Sequence, residues 1–561
     1  MKRILLYTVL FLLLCCISSC LDDKNDFNYR QINELNGSIE NMNGWYTVSV
    51  EEDLYLKPTF KFTIDSIHPD VSYEWYLDGE LLDVKTPDYT FNAAKTGKYE
   101  VTYSVVDNKT GVKFSKSAEI TVRSPYLVGW LILSEKDGKS ALSFIKMRTV
   151  KRDDIDAEGN PVERDSIIFY DVEKYFRPDL GTEPKGLTEH IGVEYDFGFS
   201  DAVYDEIVVM QGKDNWVELN GNTMEHEVYT KEEFGNDLPE NFEPVEAAMT
   251  FSSKLIIYLH RKVLANDYHA GSYISVPLAN STKFKGLYQA HKLYNRNYYV
   301  IPACTEDNSL VGIWDAGRYN EYSLDGTPSA ITENSSRNDG NIVELTENTD
   351  EKHFKQMSKN VIAMIPATCG RDNRFDVTDS YIVPKWLALM EEKGTYSMRY
   401  FGLEGDTSGG IVTVTDFKEV PVDARVFAAG YVDMAVFQHK KYVVFASGKE
   451  IWYCPYGGST SNAVLLKKFD QNIVSISSHD VEEYTRDGDI YHNGHLGVAL
   501  ENGDFFIYEV VEEDKVLDNI TVNQLYPSPE TEDKDNNNFG KIVDTLYKFG
   551  NASGVFTYTF Q

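Results

Sequence analysis

From about Trp45 the chain alternates between apolar and polar positions. Val71, Tyr73, Trp75 and Leu77 are separated by single residues and run into Asp78-Gly79, a dipeptide suited to a tight hairpin turn. Tyr99, Val101, Tyr103 and Val105 repeat the period after Gly97. Val112, Phe114, Ala118, Ile120 and Val122 follow the turn at Asn108 to Gly111. A period of two sends successive side chains to opposite faces of a strand. Residues 45–123 therefore predict a small antiparallel sandwich with one buried face per sheet.

Arg123-Ser124-Pro125 marks a boundary, and the remaining stretch, 124–561, is patterned differently. Short apolar runs come in pairs: Trp130–Leu133 with Ala141–Ile145, and Ile207–Met210 with Trp216–Leu219. Leu255–Leu259 follows, then Tyr298–Ile301 with Val311–Trp314, and Trp386–Met390 with Tyr396–Phe401. Tyr442–Ala446 with Ile451–Tyr453 and Val498–Leu500 with Phe505–Val510 complete the series. Steps of roughly 40 to 90 residues fit propeller blades carrying insertions better than a solenoid of fixed period. The chain is thus expected to be all-β, a sandwich followed by a β-propeller of about seven blades. Most hairpins join an aliphatic strand to an aromatic one, as the inner and middle strands of a blade would. The ring is expected to close through Val555–Phe560 against the strand near Tyr126–Leu133. Helical signal is limited to one turn at Thr230–Phe234.

Ahead of the strands, Lys2 and Arg3 precede an apolar run from Ile4 to Ile17, too short to span a bilayer as a stable helix. Ile17-Ser18-Ser19-Cys20 resembles the lipobox of bacterial lipoproteins. Residues 1–19 are accordingly expected to leave as a signal peptide, with Cys20 the site of lipid attachment and 20–44 a polar tether. Several acyl chains at about 0.8 kcal/mol per buried methylene would make that anchor effectively permanent. No later apolar segment reaches about 18 residues. Leu21-Asp-Asp-Lys-Asn-Asp26 resembles the acidic signal that sends lipoproteins of Bacteroidetes-type bacteria to the exterior face of the outer membrane.

Charge narrows the partners. Processing would remove two bases and no acids, leaving 52 Lys+Arg against 88 Asp+Glu, a net charge of −36. A polyanion of that size repels nucleic acid and anionic lipid surfaces. Cys15 and Cys16 lie in the signal, and Cys304, Cys369 and Cys454 are far apart. That spacing gives no disulfide framework or zinc knuckle and predicts buried free thiols.

The spacing Trp75, Gly79, Gly97-Lys-Tyr99-Glu-Val101, Val105-Val-Asp107 resembles the PKD branch of immunoglobulin-like domains. With the lipobox ahead of it and Ser124-Pro-Tyr-Leu-Val-Gly-Trp-Leu-Ile-Leu behind it, the chain resembles the PKD-like family of Bacteroidetes outer-membrane lipoproteins. That resemblance implies an accessory of SusC/SusD-type importers. Its partners would be a SusC-like TonB-dependent barrel, a SusD-like lipoprotein, and a peptide or glycan oligomer.

Three clusters carry candidate chemistry. His479-Asp480, Asp487, Asp489, His492 and His495 hold metal-competent groups within one short stretch, although Asn493-Gly494 also reads as a turn that gathers polar residues. Asp533, Asp535, Asn537 and Asp544 partly echo a calcium loop, with Asn538 where such a loop needs glycine and Asp544 in place of the bidentate glutamate. Ca2+ is the one cofactor these residues suggest; Asp372, Asp376 and Asp379 form a weaker cluster. Trp314, Arg318, Tyr319 and Tyr322 combine flat rings with a guanidinium that can fork onto a carboxylate, a set suited to sugar faces or peptide side chains.

Neither a sialidase-type Asp box nor a Gly-x-Ser-x-Gly elbow, His-Glu-x-x-His helix or Walker loop is present. The expected role is non-catalytic: substrate capture or presentation beside an importer at the cell surface. A propeller glycoside hydrolase and a surface adhesin remain the alternatives. A close acidic pair in the central channel would mark the hydrolase.

Overall fold

The computed structural model describes residues 33–548 other than 51, 65, 66, 68, 127, 156–160, 192–204, 213, 214, 222, 233–237, 239, 241, 250–252, 259–262, 268–274, 278–283, 289–298, 316–341, 368–384, 406–410, 438–441, 457–461, 485–489, 513–519 and 530–536. The chain divides into two compact units, Met1–Arg123 and Ser124–Gln561.

In the first unit the alternating strands pair as their patterning requires. One sheet runs in the order Trp45–Ser49, Lys113–Arg123, Gly97–Asp107, Val71–Leu77, Glu80–Leu81. A smaller pair, Asp53–Leu56 with Tyr89–Asn92, accompanies it. Asp78 and Gly79 both adopt positive φ, 49° and 81°, the conformation that turns Val71–Leu77 tightly into Glu80–Leu81. Trp75, Val101, Tyr103 and Val105 are fully buried, so the period-two face is the core. The Trp75 ring lies 4.7 Å from Tyr103 and 5.3 Å from Tyr89, and its indole N–H donates to the Thr86 carbonyl at 3.0 Å. The first strand, Trp45–Ser49, joins Lys113–Arg123 in parallel.

The second unit is built of four-stranded antiparallel meanders. Among the described residues these start at Gly186, Pro244, Phe284, Asn360, Asp433 and Ile473, and one more is formed from both ends of the unit. In that last group Gly129–Lys136, Lys139–Ile155 and Pro161–Gly181 are completed by Lys541–Lys548, which pairs antiparallel with Gly129–Lys136. The meanders beginning at Phe284 and Asn360 fuse into one eight-stranded sheet, because Leu345 and Thr346 pair in parallel with Val412 and Thr413.

The first strands touch in succession. Lys541–Lys548 packs on Gly186–Ile191, which meets Pro244–Met249, which meets Phe284–Leu287. Asn360–Pro366 packs on Asp433–Phe437, which meets Ile473–Tyr484, which returns to Lys541–Lys548. The result is an all-β, propeller-like arrangement with first strands innermost.

Two expectations change. The hairpins visible in the sequence are the second and third strands of their meanders, not the inner and middle ones. Second strands are covered on both faces by neighbouring sheets, so every residue of Tyr442–Ser447 and the first six of Gly129–Lys136 are buried. Such strands read as continuous apolar runs. Ring closure falls to Lys541–Lys548, not Val555–Phe560. Both edges of Gly129–Lys136 are already taken, and 555–560 lies outside the described residues. At Thr230 a single 3-10 turn begins.

Candidate functional site

A cleft of about 800 Å³ opens where one strand changes partners. Ile342, Val343 and Glu344 pair antiparallel with Val311–Ile313, and the next two residues, Leu345 and Thr346, leave to join Val412 and Thr413. The gap is bounded on one side by the tight turn Glu306–Ser309. There the Thr305 hydroxyl donates to the Ser309 carbonyl at 2.9 Å, and Asn308 takes a positive φ of 65°. On the other side the chain folds back on Glu347, whose carboxylate accepts the main-chain N–H of His353 (2.9 and 3.0 Å) and of Phe354 (3.3 Å). The Phe354 carbonyl accepts the Leu310 N–H at 2.8 Å, tying both walls together.

The lining is mixed: Glu306, Asp307, Glu344 and Glu347 against Lys352 and Lys355, with Leu310 and Phe354 supplying apolar surface. Lys355 pairs with Glu344 at 2.9 Å. Hydrogen bonds, first from the Thr305 hydroxyl and then from Ser309, hold the Asp307 carboxyl below its ordinary range. Behind the cleft Arg399 donates through Nε to Glu419 at 2.7 Å, and Lys359 pairs with the same carboxylate. Burial works to raise the Glu419 pKa but is outweighed by Lys359, Ser397 and Arg399, so it stays ionised. The volume is that of a ligand pocket, and the fixed walls and mixed charges can orient a polar oligomer.

Of the residues singled out for ring stacking, Trp314 lies on Leu310–Asp315, the strand that also supplies Leu310 and Val311 to the cleft, opposite Val300. Arg318, Tyr319 and Tyr322 lie outside the described residues. Cys20, Asp533, Asp535, Asp487, Asp489, Asp372, Asp376 and Asp379 do as well.

Asn537 and Asp544 require a correction. Asn537 is buried, and Asp544 is no loop residue but the fourth residue of the closing strand. Its Oδ2 accepts the N–H of Leu187 at 2.8 Å, and its Oδ1 accepts the N–H of Thr545 at 2.8 Å and the hydroxyl of Ser475 at 3.2 Å. Those bonds direct the carboxylate to main chain and away from a calcium loop.

The histidine cluster also resolves differently. Asn493-Gly494 is not a turn but the interior of strand Ile490–Leu500, where a Cβ on Gly494 would meet the Phe437 ring at 2.3 Å. His479 and His495 stand opposite each other on paired strands, both buried. His479 stacks on Tyr547 at 4.0 Å, and His495 lies near Trp130 and Phe169. Burial pushes the His495 pKa down to about 3, so its imidazole is neutral. Among the described residues no three His, Cys, Asp or Glu side chains gather as a metal site.

Sequence reading missed Asp433 and Glu246. Asp433 accepts the Ile476 N–H at 2.8 Å, and Glu246 accepts the Leu287 N–H at 3.1 Å. Asp433 and Asp544 flank Ser475 from two strands, an acidic pair of the kind a glycosidase would use. Their oxygens are already engaged by main-chain donors, however, and Glu246 repeats the contact elsewhere in the ring, as structural joints do. The sequence signal was one acid inside an apolar run, as in Pro244-Val-Glu-Ala-Ala-Met249.

No curated protein matches the chain. Among solved structures, a quinonprotein alcohol dehydrogenase-like protein from Bacteroides thetaiotaomicron aligns at 10% identity, covering 92% of this chain and 97% of that one, with a TM-score of 0.34. The WD40 domain of SCAP from fission yeast aligns at 8%, covering 61% and 74%, TM-score 0.34. Human WBSCR16 aligns at 7%, covering 68% and 88%, TM-score 0.32. Nothing about this chain's chemistry follows from similarity at that level. The profile of the PKD-like family matches residues 20–168, so the N-terminal stretch of this chain, from Cys20 through the sandwich into the first hairpin of the second unit, is PKD-like.

Proposed function

We propose that this protein is a lipid-anchored accessory of a SusC/SusD-type importer, facing the cell exterior, that captures or presents a peptide or glycan oligomer without chemistry of its own. The PKD-like match carries this reading, because it begins at Cys20, the residue at which lipoprotein processing would start the mature chain. In this reading the PKD-like unit is a spacer and the second unit a propeller. The seven four-stranded groups among the described residues, counting the meander closed by Lys541–Lys548 and dividing the eight-stranded sheet in two, support a reading of about seven blades.

The cleft between Glu306–Ser309 and the Glu347–Lys355 turn supports capture. It offers ligand-sized volume under the strand that carries Trp314. Shallow, mixed-charge contacts at several points suit binding and release, and linkage to a second binding subunit multiplies weak affinities.

Gentle detergent extraction of the tagged protein tests the proposal. Co-elution with a large TonB-dependent barrel, together with metabolic acylation that Cys20→Ala abolishes, is the expected result. Recovery as an unacylated periplasmic protein, or turnover of a polymer by the purified chain, would overturn it.

A further inference from the structure

Three carboxylates stand at one position in three different meanders. Asp544 pairs across to Leu133, Asp433 to Ala446 and Glu246 to Ile257. Each of those partners is the fifth residue of the second strand: Gly129–Lys136, Tyr442–Ser447 and Ser253–Tyr258. Every one of the three carboxylates accepts the main-chain N–H of the first strand next along the ring: Leu187 at 2.8 Å, Ile476 at 2.8 Å and Leu287 at 3.1 Å. Two of the donors occupy the same level in their own meanders. Leu187 pairs with Val209, and Leu287 with Ala303, again the fifth residues of Asp205–Met210 and Tyr299–Thr305.

The recurrence has a physical origin. An innermost strand is paired along one edge only, so alternate N–H groups on its other edge need an acceptor. None of these three first strands pairs with the next one along the ring, and an acidic side chain makes the link instead.

We propose that these three contacts are proton-sensitive fasteners between meanders, which hold the ring more firmly in mild acid than at neutral pH. The groups facing them, among the described residues, are few. Asp433 meets the Met434 and Ile476 N–H groups, Ser475, the Tyr431 phenol and the charge of Asp544. Asp544 meets the Leu187 and Thr545 N–H groups and Ser475. Glu246 meets the Leu287 N–H and the Tyr288 phenol, which itself neighbours Cys304. Among the described residues no cation contributes to the surroundings of any of the three. Desolvation accordingly raises all three carboxyls, Asp433 and Glu246 to about 7 and Asp544 to about 6.

The unfolded chain would release these protons near pH 4, the folded ring near 6 to 7. Between those limits the folded state binds more protons, so this contribution to stability falls as pH rises. Ser475 bonds both Asp433 and Asp544, so ionisation of one opposes ionisation of the other. His495 works in the opposite sense, since burial depresses its pKa and acid destabilises the fold through it. The variant-minus-wild-type difference therefore isolates the fasteners.

The experiment compares melting temperatures of the full chain in detergent with those of Asp433→Asn/Glu246→Gln/Asp544→Asn between pH 5 and 7.5. The amides keep an acceptor for each N–H but cannot ionise. The expected result is a variant that gains several degrees relative to wild type as pH rises through that window. A difference that does not change with pH would overturn the proposal. Should the triple variant fail to fold, Glu246→Gln, remote from the shared serine, carries the same comparison. In difference infrared spectra, a protonated-carboxyl band present at pH 5.5 and weakened by that substitution is expected, and its absence from the wild type would also overturn the proposal.

Discussion

The indole N–H of Trp130 donates to the hydroxyl of Ser477 at 2.9 Å, joining residues 347 positions apart. Ser477 shares a 3.1 Å hydrogen bond with Thr545 on the closing strand, and the Trp130 ring meets Tyr547 edge-on at 4.6 Å. The seam where the ring closes is thus a mesh of hydroxyls and rings contributed by Gly129–Lys136, Ile473–Tyr484 and Lys541–Lys548. Its close packing makes it sensitive to small changes.

Gly497 lies under that indole, where a Cβ would meet Trp130 Nε1 at 2.5 Å and the Phe505 ring at 2.8 Å. Gly497→Ala is expected to cost about 1–3 kcal/mol through overpacking. Trp130→Ala, which empties a fully buried site, is expected to cost about 3–5 kcal/mol. Equilibrium denaturant unfolding checks both, and an unchanged midpoint for Gly497→Ala would contradict the packing described.

His495 is neutral in the fold, with its pKa lowered by burial from about 6.5 to about 3. The unfolded chain takes up this proton as pH falls below about 6.5 and the folded chain does not, so stability is lost progressively toward pH 3. His495→Gln is expected to flatten the acid limb of the Tm-versus-pH curve while leaving the region above pH 7 little changed. An acid limb of unaltered slope would count against it.

Arg399 and Glu419 form a largely buried pair behind the cleft, with Lys359 and Ser397 on the same carboxylate. Arg399 also donates to the His353 carbonyl, so the pair holds the turn that walls the cleft. Glu419→Gln leaves a buried guanidinium without its counter-charge and is expected to cost about 3 kcal/mol. Faster amide exchange confined to residues 353–357 would locate the effect, and uniform exchange across the unit would contradict it.

In the first unit, Trp75→Phe removes the bond to the Thr86 carbonyl but retains ring packing against Tyr103 and Tyr89. About 1–2 kcal/mol is expected, including the desolvated acceptor left behind. Trp75→Ala should cost about 3–5 kcal/mol. Circular dichroism during denaturant unfolding separates the two.

Much of the architecture was legible in the chain's local pattern. Val71–Leu77 ran into Asp78-Gly79 and turned there, because alternation and positive φ are properties of neighbouring residues. The apolar hairpins were visible for the same reason: strands covered on two faces contain almost no polar residue. Position within a meander was not visible, since Tyr442–Ser447 reads alike whether first or second in its sheet. Asp433 and Glu246 escaped notice because one acid at the start or middle of an apolar run has no local meaning.

What the sequence determined by itself was the all-β class, the alternating strands between Trp45 and Arg123, the hairpins after Ser124 and a strongly acidic composition. These follow from period, turn residues and charge, each set within a few positions. The expected tether 20–44 is corrected at its end, since Ile39 and Met42 are buried in the sandwich core and Leu35 and Glu40 bridge to Phe62 and Thr59. Only the tertiary structure decided which strand closes the ring, where His479 and His495 lie, and what Asp544 bonds. Val555–Phe560 carries the richer β-forming composition, yet Lys541–Lys548 closes the ring, because pairing depends on which edge is free after every other strand has been placed.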